Sequence, residues 1–392
     1  MALDPRFRED PYPILAELRE REPIHHDTEL RRFIFTRHDD VEAILRNPDS
    51  WSDPRKGVEG GFAKMFLGQG DEEPSMLLMD DPGHRRLRNL VHHPFTPRKV
   101  ERWRGRAREV ADRVIGQLDD GEFNLVESVA NPIPTVVIAE LLGVDPENHA
   151  QFKSWSDASI KVAFGPNNDP ADIAAAEHAH EELTRFFRNE IERRRSTPGD
   201  NLMSSMLNAE ESGDRLTEDE IVSQCTLLLL AGNLTTTDLI GNAVMALLKN
   251  PDELEKLRTR PDLMKNTVEE VLRYDTPVTN SGRIAHKDIE IDGVMIGQGE
   301  SLSVSLAAAN RDPAIYPEPD RFDIERKDTH HQAFGGGQHF CLGAHLARLE
   351  AAETLSALMD RFSRLSLGEG GHRYASNPSF RGFDEFWVRG ER

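Results

Sequence analysis

The sequence predicts a mainly α protein with small β-sheets, an α+β fold, running as one continuous domain over residues 1–392. Three observations lead there. Helical periodicity dominates the chain, strand patterns are few and lie near its two ends, and no internal repeat, low-complexity tract or Ser/Gly linker interrupts it. A chain of 392 residues is long enough to enclose a sizeable ligand within its core.

Composition narrows the function classes. The chain carries 48 Lys and Arg against 69 Asp and Glu, a net charge of −21, which excludes nonspecific binding of nucleic acid or an anionic membrane by the molecule as a whole. With 38% hydrophobic and 30% charged residues it is a folding rather than a disordered composition. Cys225 and Cys341 are the only cysteines, so no disulfide framework is expected and the cytoplasm is the expected compartment. The opening MALDPRFREDPYP lacks the apolar stretch of a signal peptide, and the longest apolar run, around Leu227 to Ala231, is too short to span a bilayer.

The elements can be justified in order. Arg32 to Thr36 reads as a short strand. Asp81-Pro82 sets a capping residue before a proline at a helix start. Arg98 to Leu118 reads as one basic amphipathic helix. Phe164 to Asn168 is a turn-rich loop, after which Asp169-Pro170 opens a helix to about Arg195. Thr217 to Glu220 is a capping box that starts a helix reaching Lys249, roughly 45–50 Å long at 1.5 Å per residue. Its segment Cys225 to Ala231 is apolar all round and should run through the core. Ile289 to Val304 alternates apolar residues around Asp292-Gly293 and Gly297-Gln298-Gly299, which predicts hairpins.

The chemistry concentrates in Phe334-Gly335-Gly336-Gly337-Gln338-His339-Phe340-Cys341-Leu342-Gly343. Successive glycines let backbone adopt positive φ and approach a flat partner closely. Ala344 to Glu350 then has strong helix propensity, so Cys341 sits at the positive end of a helix, where dipole and free N–H groups favour a thiolate. A thiolate held by a glycine loop suits an axial haem ligand. Other readings remain. A lone cysteine is commonly a small buried hydrophobe, as expected of Cys225. Cys341 with His330, His331, His339 or His345 is a zinc alternative, though the C-x-x-C pair of structural zinc sites is missing. A phosphate loop would need a following Lys-Ser/Thr.

The stretch matches F-G-x-G-x-H-x-C-x-G, and on it the chain resembles the bacterial cytochrome P450 family of haem-thiolate monooxygenases. The resemblance implies a triangular, helix-rich prism with haem b (iron protoporphyrin IX) between the long helix and the cysteine helix. Cys341 would be the axial iron ligand, with Phe334, Gly335, His339 and Gly343 shaping its loop. Glu270 and Arg273 match the family's E-x-x-R, and Pro319-Asp320-Arg321-Phe322 matches its meander, so Arg321 is expected to join them in a buried charge cluster that holds the loop. In Asp81 to Arg88, His84 and Arg88 lie on one helix face. The resemblance assigns them, with Arg283 and His339, to the haem propionates; taken alone, Arg88 and Arg283 read as surface charge. Ala231, Gly232, Thr235 and Thr236 match the oxygen-binding groove in the long helix. The family's acid before Thr235 is replaced by Leu234, which can neither donate nor titrate. Proton supply is then expected to run through water, substrate, Asn233 or Asp238.

The implied activity is insertion of one oxygen atom of O2 into a small, mostly apolar organic substrate. No G-x-G-x-x-G opens a helix after a strand, so electrons are expected from a ferredoxin and its NAD(P)H-dependent reductase. A peroxide-driven peroxygenase, a haem isomerase and a haem-binding sensor or carrier are the alternatives. The resemblance implies a substrate pocket bounded by Lys56 to Met79, Ile160 to Asn168, the helix around Leu230 to Leu234, Val278 to Ser281 and the turn near Phe380. Between Arg98 and Arg113 seven basic residues face three acidic ones, a reversal of the overall charge and a candidate dock for an acidic ferredoxin.

Overall fold

A computed structural model gives the fold and describes residues 5–67, 75–163, 169–210 and 213–392. The predicted Phe164 to Asn168 loop and part of the Lys56 to Met79 segment therefore lie outside the described residues. Among the described residues helices dominate, and three small sheets accompany them.

The long helix runs Glu218–Lys249 and begins on the predicted capping box: Thr217 Oγ1 accepts from the Glu220 amide, and the Glu220 carboxylate accepts from the Thr217 amide. By length and composition it could cross a membrane, but 67% of its most apolar window is buried inside the protein. It is a core helix, packed against Pro132–Leu142, Met264–Tyr274 and Ala344–Arg361. Asp169 caps the next predicted helix, Pro170–Ser196, by accepting from the Ala171 amide.

The predicted basic helix is broken in two, Pro97–Glu101 and Arg104–Ile115. Both segments pack on Ala344–Arg361, and the break at Arg102-Trp103 lets each bury its own apolar residues, Val100 in one and Ala107, Val110, Ala111 and Ile115 in the other. Near Asp81 the helix begins at Gly83 rather than at Pro82, and the Asp81 carboxylate accepts from the Arg85 amide.

The first sheet has the order Ile24–Asp27, Arg32–Phe35, Ser301–Ser305, Asn280–Ile284. Asp292-Gly293 makes the predicted hairpin between Ile289–Ile291 and Val294–Ile296, with positive φ at both turn residues. Gly297 to Gly299 does not make a second one. The chain there leaves the hairpin, and Ser301–Ser305 enters the first sheet parallel to Arg32–Phe35, burying all five of its residues. Sequence reading missed the C-terminal sheet of Gly121–Asn124, Phe383–Glu391 and Arg364–Tyr374. Arg364–Tyr374 reads RLSLGEGGHRY and has no fully buried position, so the alternation that announces a half-buried strand is absent.

Candidate active site

The cysteine loop joins the Gly337–His339 turn to the Ala344–Arg361 helix. Gly335 and Gly337 adopt φ of 66° and 65°, which only glycine takes at no cost. A Cβ on Gly337 would collide with the Leu45 carbonyl, so the loop packs its backbone directly on the end of the His38–Arg46 helix. The Cys341 amide donates to the Phe334 carbonyl at 3.0 Å, closing the loop.

Cys341 is the exposed one of the two cysteines, yet it is set so deep that burial dominates its titration. The residue therefore borders an opening set within the fold. A Cβ at Gly335 or Gly343 would meet no protein atom within 4 Å, so both sides of the loop border open space. Burial pushes the Cys341 thiol up; the Gly343 and Ala344 amides and the Arg88 and Arg348 guanidiniums pull the other way. The helix start thus opposes the rise without lowering the thiol overall, contrary to the expectation from the dipole. A bound metal cation would deprotonate the thiol outright.

On the long helix, Ala231 is exposed and Gly232, Leu234 and Thr235 are partly exposed, just before a stretch buried from Thr236 to Leu247. The Thr235 hydroxyl donates to the Ala231 carbonyl at 2.8 Å, which occupies a backbone acceptor with a side chain. Thr236 is 3% exposed, so the opening belongs to Thr235. Asn233 is buried and its amide donates to Ser156 Oγ on the His149–Ala163 helix at 3.1 Å. Val278 and Phe380 form an isolated antiparallel bridge, so these two expected pocket residues are neighbours.

Four basic groups gather beside the loop. The His84 and His339 rings lie 4.1 Å apart, Arg88 donates to the Phe340 carbonyl at 2.6 Å, and Arg283 is 7% exposed. Burial, with Arg283, His84 and Arg88 close by, drops His339 to about 3. Burial also lowers Arg283 to about 10, against the pull of Asp80. His84 Nδ1 is buried with no hydrogen-bond partner among the described residues, 3.6 Å from Asp81. So much basic character with so little acid fits a ligand bearing carboxylates, as a porphyrin with two propionates does.

Zinc fits less well. His330 pairs with Glu42 at 3.2 Å and His331 with Glu269 at 3.1 Å, and among the described residues no three ligating side chains gather.

Glu270 and Arg273 form a buried ion pair, both fully excluded from solvent. All five guanidinium N–H groups have acceptors: both Glu270 oxygens at 2.8 Å and the carbonyls of Asn310, Pro319 and Arg321. The expected third member is wrong. The Arg321 side chain is 56% exposed and faces Glu318 and Asp323, and only its carbonyl enters the cluster. Arg326 takes the place instead, its Nε reaching Glu270 at 3.2 Å while its Nη groups brace the carbonyls of Pro317, Glu318 and Arg321. The two arginines are five residues apart, and the turn between them turns the second one inward.

A further brace was not legible in the sequence. Glu269 accepts from Arg348 Nε and Nη2 at 2.6 and 2.9 Å and meets His331, and the Arg348 guanidinium lies 4.3 Å from the centre of the Phe334 ring. Glu269 thus ties the E-x-x-R helix to both sides of the cysteine loop. Burial alone would raise its carboxyl, but hydrogen bonds from His331 and Arg348 hold it down to about 2. Arg348 supplies the charge, because burial keeps His331 below its ordinary value and neutral at pH 7. This stabilisation is complete above 4.5, the ordinary value, and is lost as pH falls towards 2. Glu269→Gln should flatten the acid limb of the stability profile in that window. A profile as steep as that of the wild type would show that Glu269 is not held down.

The chain is similar to known proteins along most of its length. The family model described as Cytochrome P450 matches residues 29–373. The 6-deoxyerythronolide B hydroxylase of Saccharopolyspora erythraea is 38% identical, over 92% of this chain and 91% of its own. The bacillaene polyketide synthase P450 PksS of Bacillus subtilis superposes with a TM-score of 0.90 at 32% identity, covering 100% of both chains. CYP109E1 of Bacillus megaterium, solved with testosterone, superposes with a TM-score of 0.88 at 31% identity, covering 98% of this chain and 100% of its own. A glycine loop that presents a deep cysteine to an internal opening, braced by a buried E-x-x-R pair, is therefore found in a chain that belongs to the cytochrome P450 family, the haem-iron monooxygenases.

Proposed function

We propose that this P450 uses haem b to hydroxylate a bulky, mostly apolar organic substrate, taking electrons in the cytoplasm from a ferredoxin and its NAD(P)H-dependent reductase, with residues 1–392 acting as one catalytic domain. The observation that carries the reading is Cys341, exposed yet deep in the protein, just before a helix packed against the one that bares Ala231 and Thr235. Bound there, the haem iron supplies the activation of O2 that no side chain can perform.

The chain's own residues then have separable tasks. Cys341 would ligate the iron, with Phe334, Gly335 and Gly343 beside the group. His84, Arg88, Arg283 and His339 would take its two carboxylates. Ala231 and Gly232 would leave space for dioxygen, and Thr235 would offer a hydroxyl there. Thr235, not Thr236, is the threonine with exposed surface. Leu234 and the Val278–Phe380 bridge give the substrate space apolar walls. Met65, Leu67 and Leu77, all exposed, suit the mouth of an apolar pocket. A bulky substrate is supported by relatives that hydroxylate 6-deoxyerythronolide B and bind testosterone. The test is a screen of steroids and macrolactones for a shift of the Soret band. Failure of every apolar compound to shift it, with shifts by charged ones, would overturn the substrate class.

The ferredoxin dock is smaller than the sequence suggests. Arg104 is paired with Glu101 and Glu353, Arg106 with Glu140 and Glu109, and Arg108 with Asp112 and Asp360. Among the described residues Arg98, Lys99, Arg102 and Arg113 have no carboxylate partner, and these four remain for an acidic protein. Electron transfer from a ferredoxin should fall as salt shortens the Debye length from about 10 Å at 0.1 M. Arg102→Glu should slow it several-fold at low salt, and Arg104→Glu should do less because Arg104 is already neutralised. Salt-independent transfer, unmoved by Arg102→Glu, would remove the dock.

A further inference from the structure

Oxygen insertion consumes two electrons and two protons for each O2, one oxygen atom going to substrate and the other to water. The protons have to reach a buried site. From Ile221 to Leu248 the long helix carries only two ionisable side chains, Cys225 and Asp238, so Asp238 is its one carboxyl. Leu234 can carry no proton.

Asp238 is placed to do so. At 100° per residue, Ala231, Thr235 and Asp238 form one stripe along the helix, with Asp238 one turn beyond Thr235. Ala231 and Thr235 are where the stripe opens, and Asp238, 4% exposed, is where it closes against the C-terminal hairpin. A Cβ on Gly382 would overlap the Asp238 carboxyl group, so the acid lies directly on backbone, two residues from Phe380. The charged groups acting on it come from two other elements. Arg8, in the N-terminal helix Pro5–Glu9, favours the carboxylate, and Asp384, in the hairpin, disfavours it. Arg8 is held by the carbonyls of Ala375 and Phe380 at 3.0 and 2.9 Å. Asp384 is 42% exposed and borders an open cleft of about 540 Å³ shared with Glu127, Lys153, Glu385 and Trp387. The acid therefore lies between the threonine that faces the site and a carboxylate that faces water.

We propose that Asp238 relays protons from the Asp384 cleft to the Thr235 hydroxyl. Asp238 gives its carboxyl proton to the hydroxyl oxygen as the hydroxyl proton moves on into the site, and it is reprotonated from the cleft. The proposal deepens the monooxygenase reading and depends on it only for the use of the protons. Burial raises Asp238 to about 8, so near neutral pH it is a protonated acid able to donate and to be recharged.

Two measurements test this. In the haem-loaded ferric protein, infrared difference spectra between about pH 6.5 and 9.5 should show a protonated carboxyl band that titrates and that Asp238→Asn removes. This readout needs no turnover. With a surrogate ferredoxin and reductase, and testosterone as the probe, Asp238→Asn should slow oxygen uptake about tenfold, raise the share of hydrogen peroxide and enlarge the solvent deuterium effect. Adding Leu234→Glu to that variant should restore uptake by supplying an acid on the other side of Thr235. Persistence of the band, wild-type values for uptake, peroxide and isotope effect, or a loss that Leu234→Glu leaves uncorrected would each overturn the relay. If Asp238→Asn does not retain haem, Asp384→Asn is the second variant. It should lower the pH at which the band titrates, by removing a like charge, and slow uptake; an unmoved midpoint with unchanged uptake would overturn the proposal.

Discussion

Cys341→Ser is expected to abolish the red-shifted Soret band of the reduced, carbon monoxide-bound protein, and Cys225→Ser to leave it in place. The two cysteines differ in surroundings, not in chemistry. Cys341 opens on the interior beside two glycines that border open space, with amides and two guanidiniums favouring its charged form. Cys225 is 0% exposed, inside the apolar run of the long helix, where burial pushes its thiol far above the ordinary range and no basic group acts on it. A serine there can bond back to its own helix, so the fold should tolerate it. Serine at 341 offers oxygen in place of sulfur and loses the thiolate signature entirely. The opposite behaviour of the two variants would refute the ligand assignment.

Arg273→Ala is expected to cost about 3–5 kcal/mol, because it leaves the Glu270 carboxylate buried without its principal partner. That is a large share of a typical folding stability of about 5–15 kcal/mol, so haem retention should fail with it. Arg326→Ala should cost less, since the bidentate pair of Glu270 and Arg273 survives. Arg321→Ala should change stability by only about 0.5 kcal/mol, its side chain being exposed and its carbonyl contribution intact. Denaturant unfolding of the three variants, with haem content measured alongside, checks the order. A cost for Arg321→Ala matching that for Arg326→Ala would show that the meander closes on the other arginine.

Local features were legible from sequence because their physics is local. The capping box at Thr217, the aspartate cap at Asp169 and the Asp292-Gly293 turn each satisfy backbone groups within a few residues of themselves. The Arg98 to Leu118 stretch was misread because helical periodicity does not report a break that keeps both halves packed on the same neighbour. The strand Arg364–Tyr374 was missed because its side chains are too exposed to leave an alternating pattern.

The sequence by itself determined the fold class and the family, and it singled out Cys341 as the candidate ligand, because a glycine loop before a helix start constrains its own backbone whatever surrounds it. Only the tertiary structure decided which groups complete the buried charges. Glu270 is met by Arg326 rather than Arg321, and Glu269 by Arg348. A buried charge needs a partner of the right sign within a few ångströms, and the chain can bring that partner from any point along its length. Spacing along the sequence therefore gives the demand for a partner, and packing alone selects the residue that meets it.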